Sequence, residues 1–294
     1  MLHKIINRMK IEKKIIYNSL KYRNNDFPLY IHFGYHKCMT VFFSKVLWQM
    51  SLSIGKRFKR VSSDLQEFRD CLRTKKYGCF NINNVLVNLE KLPHFLGSHI
   101  VRDPRDLLVS GYRYHKWCNE KWVIMNMSEI PIKVFRRCPL EVNFSDILNK
   151  IGIEKKYLNK SYKELLNHVD EETGYMLEME IRKPSFSQMY KWNYNLPNIY
   201  ELRYEDVFGN EQEAFKELFS FFGIPKNEIS NLMNFVYKNS FKQIKKEKNF
   251  FKEHASVGIS NQWKSEMPKA IQKEILFRYF DLLKNLGYEY SDNF

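Results

Sequence analysis

Between Tyr30 and Lys45 the chain reads Y-I-H-F-G-Y-H-K-C-M-T-V-F-F-S-K. An apolar run closes at Gly34, a short turn carries Lys37, and a helical pattern starts near Thr40. Backbone N–H groups at a helix start, a hydroxyl and an ammonium then converge on one point, an anion hole of phosphate size. His99 to His115 (H-I-V-R-D-P-R-D-L-L-V-S-G-Y-R-Y-H) repeats the layout of strand, charged turn and helix. There Arg102 can grip a phosphate through two parallel N–H bonds, and Ser110 can add a hydroxyl from the helix. Taken singly, each segment reads equally well as an ordinary strand-to-helix turn, with Arg102 paired to Asp103 or Asp106. Together they predict a ligand with two separate phosphate groups.

The first turn is not a G-x-x-x-x-G-K-[ST] loop, because Cys38 follows Lys37 and the hydroxyl arrives only at Thr40. That spacing, with no clear carboxylate for Mg²⁺, disfavours a P-loop phosphotransferase, which stays as the alternative enzyme reading.

The elements that must hold these groups alternate. From Pro28 to Ser110 the pattern predicts a strand, a helix, a polar stretch, a short strand (Tyr77 to Ile82), a helix or loop, and a strand (Ser98 to Val101). Such alternation argues for an α/β fold with a central parallel sheet flanked by helices. Lys116 to Pro184 is polar and helix-prone, and reads as a helical insertion that could shape a pocket or lid. A further strand is expected at Ile199 to Tyr204 and a helix at Glu211 to Phe222, stopped by Gly223-Ile-Pro225. The last third is expected to be helical over Lys226 to Ser240 and Pro268 to Leu286, with a basic loop from Phe241 to Trp263 between.

Composition frames the reading. A chain of 294 residues with 44% hydrophobic content can bury one large core. The expected division is a basic segment over 1–27 and one domain over 28–294. A net charge of +15 draws polyanions without choosing among them. A non-enzymatic nucleic-acid-binding protein would use that charge and the aromatics, but no nucleic-acid-binding signature is present, so no nucleic acid is expected. Cys38, Cys71, Cys79, Cys118 and Cys138 lack zinc or CxxC spacing, which suits reduced thiols in the cytoplasm. Lysines interrupt the apolar residues of 1–20, so this stretch is not expected to act as a signal peptide. It reads as an amphipathic basic helix lying on the body of the protein, the favoured placement, or making peripheral membrane contact.

With these segments in view, the chain resembles the sulfotransferase family, whose donor is 3′-phosphoadenosine 5′-phosphosulfate (PAPS). Tyr35-His36-Lys37-Cys38-Met39-Thr40-Val41-Phe42 stands in the register of the family's Y-P-K-S-G-T-T-W. Arg102, Pro104, Asp106, Ser110 and Tyr112 match R-x-P-x-D-x-x-x-S-x-Y. Leu202 to Asp206 with Phe221-Phe222-Gly223 is similar to the family's strand, Y-E-D turn and F-L-G helix end. Asn239-Ser240-Phe241-Lys242 is similar to T-S-F-K, Gly258 before Trp263-Lys264 to R-K-G-x-x-G-D-W-K, and Leu286-Gly287-Tyr288 to the closing L-G-Y.

The resemblance implies a P-loop kinase-like core and sulfuryl transfer from PAPS to a hydroxyl, or less readily an amine, without a metal. It implies that the N–H groups of Lys37, Cys38, Met39, Thr40 and Val41, with the Thr40 hydroxyl, hold the 5′-phosphate beside Tyr35. Arg102 and Ser110 would hold the 3′-phosphate with Gly258, and Phe42, Tyr204 and Phe241 would pack at adenine with Ser240 nearby. Lys37 would neutralise the bridging oxygen as the S–O bond breaks. The acceptor would be a small molecule, a carbohydrate or a lipid.

Departures fall on Cys38, Met39 and Val41, which replace serine, glycine and a second threonine. Cys38 is either an oxidation-sensitive thiol of lowered pKa or a buried inert one. Ser256-Val257 stand where the family has Arg-Lys, leaving Lys246, Lys248 or Lys252 to substitute. Phe80 to Asn84 lacks the histidine many relatives use as base. His36, His94, His115 and Glu90 are the candidates, His36 having the best claim beside Lys37; His99, inside a strand, reads as packed core.

Overall fold

The computed structural model describes residues 2–62, 65–84, 87–130, 143–244 and 260–288. The chain forms two compact units. One comprises Met1–Ile100 and Tyr194–Glu247, the other Val101–Asn193 and Lys248–Phe294.

The first unit is built on a five-stranded sheet in the order β2-β3-β1-β4-β5. Its strands are β1 (Leu29–Gly34), β2 (Phe58–Ser62), β3 (Cys79–Asn83), β4 (Phe95–Val101) and β5 (Ile199–Arg203). β1 is central because its run Y-I-H-F is buried on both faces, as a parallel strand under helices must be. It runs parallel to β3, with Tyr30 opposite Cys79, and to β4, with Leu29 opposite Phe95. The expected α/β layout is thus present.

β4 begins three residues earlier than its apolar pattern predicts. Gly97 hides the start: a Cβ there would lie 3.2 Å from Ile199 Cγ1 and 3.3 Å from the Ile31 carbonyl, so only glycine lets the neighbouring strands close up. The polar stretch after the first helix holds β2 and α3 (Leu65–Arg73). Among the described residues β2 is an edge strand paired with β3 alone, and its Lys59 reaches Glu67 of α3 at 2.6 Å.

Helices cover this sheet. α1 (Leu2–Lys21) packs on α2 (Thr40–Ser53), which packs on β2 and β3. After β5 come α9 (Tyr204–Val207), α10 (Glu211–Phe221), α11 (Lys226–Asn239) and α12 (Phe241–Ile244). The basic N-terminal segment therefore lies on the body of its own unit. Gly55 makes this approach: a Cβ there would fall 2.2 Å from the Ser19 backbone nitrogen.

The second unit is helical among the described residues. It holds α4 (Pro104–Trp117), α5 (Lys121–Ile124), α6 (Phe144–Ile151), α7 (Tyr162–His168), α8 (Glu171–Lys191), α13 (Trp263–Glu266) and α14 (Lys269–Asn285). Asp103 caps α4 by accepting the Arg105 N–H at 2.9 Å, and Pro104 opens it. The expected helical stretch does not stop at Pro184, which α8 carries internally. A buried polar cluster joins α4 to α8: Glu178 meets His115 Nδ1 at 2.5 Å and accepts the Tyr162 hydroxyl at 2.9 Å.

Candidate functional site

β1 ends at Gly34, and the five residues before α2 turn tightly. Lys37 (φ 69°) and Met39 (φ 53°) both hold left-handed backbone, a conformation that costs an L-residue about 1–2 kcal/mol. Met39 stands where the family pattern has glycine, so this chain accepts a strain that glycine avoids. The turn brings the Cys38 N–H and the Thr40 hydroxyl onto one acceptor, the Tyr35 carbonyl, each at 3.1 Å. The His36 N–H donates to Asn84 Oδ1 at 3.2 Å, tying the turn to the end of β3. The ladder of α2 starts with the Phe43 N–H donating to the Met39 carbonyl at 3.0 Å. N–H groups of Thr40, Val41 and Phe42 therefore project from the helix end, which favours an anion there.

Cys38 has no exposed surface, so of its two readings the structure carries the buried thiol. Its N–H is also directed to Tyr35 rather than outward. Lys37 and His36 are half-buried in the turn, and Val41 is exposed.

The base candidates are scattered. His94 precedes β4, and its carbonyl accepts the Leu29 N–H at 3.3 Å. It thus stands at the amino edge of the sheet, away from the loop that leaves the carboxyl end of β1. Glu90 is exposed on a short turn, and His115 is buried against Glu178 in the second unit. His36 alone adjoins Lys37.

Beneath the turn lies a network the sequence did not reveal. The Tyr35 hydroxyl is 3.2 Å from His99 Nε2, and His99 Nδ1 is 2.7 Å from Glu201 Oε2 on β5. His99 is a packed core residue as expected, but it also carries polar contacts. His32 stacks on Phe43 with ring centroids 4.0 Å apart and meets Ser98 Oγ at 2.9 Å. Burial first, then His99, holds its imidazole well below the usual range.

The three aromatics assigned to adenine come together. Phe42 lies 6.4 Å from Phe241, Phe241 lies 4.8 Å from Phe208, and Phe208 stacks on Tyr204 at 5.5 Å. Phe215 adds an edge to Phe42 at 5.3 Å. Ser240 is buried at the start of this run, and the Phe241 N–H donates to Glu211 at 3.2 Å. Phe208 and Phe215 join these rings although aromatics at helical spacing read as plain core in the sequence, and Glu211 joins through its contact with the Phe241 N–H.

In the second unit, Arg102 and Ser110 are both buried. Asp103 pairs with Arg105 at 2.7 Å, and the Arg105 guanidinium lies 3.9 Å over the Trp263 ring. Asp106 accepts the N–H groups of Asn261 at 2.7 Å and Trp263 at 3.1 Å. The motif aspartate is therefore a clamp on the 260–263 segment. Burial and then Asp103 push its carboxyl up to about 6, against the pull of Arg102 and the two N–H donors. Gly258, Ser256, Val257, Lys246, Lys248 and Lys252 lie outside the described residues.

A family model described as the sulfotransferase domain matches residues 34–287. No curated protein matches the sequence. Among solved structures, the chain is similar to mouse sulfotransferase SULT7A1 complexed with PAP, at 16% identity and a TM-score of 0.45, covering 90% of this chain and 86% of that one.

Proposed function

This chain belongs to the sulfotransferase family, and from that premise we propose that it moves a sulfuryl group from PAPS to the hydroxyl of an acceptor, an amine being the less favoured nucleophile. The observation that supports this most is the loop after β1, where two left-handed residues set a lysine and a helix start side by side.

The residues fit such a donor. A helix start suits the 5′-phosphate, a ladder of aromatic rings suits a purine, and a buried arginine with a serine suits the 3′-phosphate. Bound there, the donor supplies an activated S–O bond. The N–H groups from Lys37 to Val41 would hold the 5′-phosphate, with the Cys38 N–H and the Thr40 hydroxyl exchanging their bonds to the Tyr35 carbonyl for bonds to phosphate. Arg102, Ser110 and Gly258 would hold the 3′-phosphate, and Phe42, Tyr204, Ser240 and Phe241 the adenine. Lys37 neutralises charge on the bridging oxygen as it leaves with the bonding pair. His36 is proposed to take the acceptor's proton as the new O–S bond forms. The helices of 116–184 would shape the acceptor pocket, in a cytoplasmic protein.

Thermal unfolding with nucleotides tests the reading. Adenosine 3′,5′-bisphosphate at about a hundredfold excess over its Kd should stabilise the protein by about 2.7 kcal/mol. AMP and ATP, which lack the 3′-phosphate, should do far less. Equal shifts from all three would overturn the assignment. Mass spectrometry of an acceptor library incubated with protein and PAPS would then identify the acceptor by its added sulfate.

A further inference from the structure

Helix α1 has two faces of opposite use. On the inner face Ile15 and Asn18 are buried, and the Asn18 amide donates to the Leu52 carbonyl at 2.8 Å. The Ser19 hydroxyl donates to the Gly55 carbonyl at 2.7 Å, and Lys21 pairs with Glu228 at 2.6 Å. These contacts account for the docking of the helix on its own unit. They leave the outer face unexplained.

On that outer face Ile6, Met9, Ile16, Tyr17 and Leu20 are exposed, from 42% for Ile6 to 69% for Tyr17. At about 100° per residue these five side chains fall within one arc of about 100°, on the far side of the helix from Ile15. Lys10 is exposed at one edge of the arc, Lys14 is exposed about 40° further round, and Lys13 is exposed within the arc. Glu12 is the single acid of α1, and it is turned aside to Arg57. Among the described side chains, the outward arc and its edge therefore present apolar and cationic groups and the Tyr17 hydroxyl, with no acid.

We propose that this face docks on the surface of an anionic lipid bilayer, with α1 lying in the plane of the interface. An apolar arc sinks to the acyl boundary while its lysines meet phosphate and carboxylate headgroups, and a tyrosine hydroxyl stays at the wet level. Charge chooses this occupant over a second copy of the chain. A two-fold pair would bring the same three lysines of each copy together across the apolar arc. A net charge of +15 adds long-range attraction to an anionic surface. The inference stands apart from the sulfuryl-transfer reading and uses none of its residues.

The test is co-sedimentation of the full chain with phosphatidylcholine vesicles, with and without about 30% phosphatidylserine. Binding should appear on the anionic vesicles, weaken with added salt and be far poorer on phosphatidylcholine alone. Ile16→Glu combined with Leu20→Glu changes only exposed positions, so its melting temperature should match the parent while vesicle binding falls by about tenfold or more. Lys10→Glu with Lys13→Glu should erase the preference for anionic vesicles. Parental binding by the apolar variant, or equal binding to both vesicle types, would overturn the proposal. So would a dimer in solution that the apolar variant dissolves, with no vesicle binding by the parent.

Discussion

Tyr35 and His99 meet edge-on, ring centroids 5.6 Å apart, with the Tyr35 hydroxyl 3.2 Å from His99 Nε2. Tyr35 is thereby held at both ends. Its carbonyl receives the Cys38 N–H and the Thr40 hydroxyl, while its ring is anchored to β4 and, through His99 and Glu201, to β5. The turn that carries Lys37 is thus fastened to β4 and β5 through the Tyr35 side chain, beside its tie to the end of β3 through Asn84. Tyr35→Phe keeps the ring and removes the hydroxyl, so it should cost about 1–3 kcal/mol, the penalty for losing a partner of a buried polar group. Thermal unfolding measures it, and an unchanged melting temperature would show that the hydroxyl does not fasten the turn.

The left-handed backbone of Met39 gives a second expectation. Met39→Leu and Met39→Ile introduce side chains of closely similar volume, but a β-branched residue is a genuine outlier at positive φ. The isoleucine variant should be less stable than the leucine variant by about 1–2 kcal/mol. Equal stabilities in denaturant titration would mean that the turn relaxes without cost.

What the sequence made legible, and what it hid, follows from local against distant information. The run into Gly34 and the helix at Thr40 announce themselves because every residue involved is a chain neighbour of the next. β2 does not, because F-K-R-V-S is an edge strand whose lysine is satisfied by Glu67 rather than by burial. Gly97 breaks the apolar run of β4 for a reason that lies on β5. His99 reads as one more strand residue because its partner Glu201 is 102 positions away. The aromatic ladder was half legible: Phe42, Tyr204 and Phe241 sit in motifs, whereas Phe208 and Phe215 join them only through packing.

Two buried groups give opposite pH dependences. The folded pKa of His32 is depressed, so on acidification the unfolded chain takes up a proton that the folded one refuses. Its contribution is present above about pH 6.5 and is lost as pH falls toward the folded value. The folded pKa of Asp106 is raised from 3.8 to about 6, so its contribution is present below pH 3.8 and is lost as pH rises through 6. His32→Asn should therefore flatten the loss of stability on the acid side of pH 6.5. Asp106→Asn should remove a decline between pH 4 and 6. Urea titrations across that range check both signs, and a reversed slope in either variant would mean that burial does not set the protonation of that group.

Arg102 and Ser110 can be separated from the loop by what each does to affinity. Arg102→Ala should weaken binding of adenosine 3′,5′-bisphosphate by about 1.5–3 kcal/mol, the scale of a charge-assisted pair, and leave AMP binding nearly unchanged. The double comparison matters, because a variant that merely loosens α4 would weaken both nucleotides alike. Calorimetry with the two ligands reads the difference directly.

Lys37 and His36 are neighbours in one turn, and only kinetics distinguishes their roles. A lysine that acts on the leaving oxygen stabilises charge that exists only as the S–O bond breaks, so Lys37→Ala should lower kcat by about 2–4 kcal/mol in barrier and leave donor affinity little changed. A base at His36 would be disabled by protonation, so His36→Ala should lower kcat and erase an acid limb near pH 6 to 7. If that limb survives in His36→Ala, the proton goes elsewhere, and the geometry orders the remaining candidates. His94 stands at the wrong edge of the sheet and His115 is committed to Glu178, so Glu90 and the Tyr35–His99–Glu201 chain are the next groups to test. Full activity in Lys37→Ala would cut deeper than any of these, because the turn would then bind an anion without taking part in its transfer.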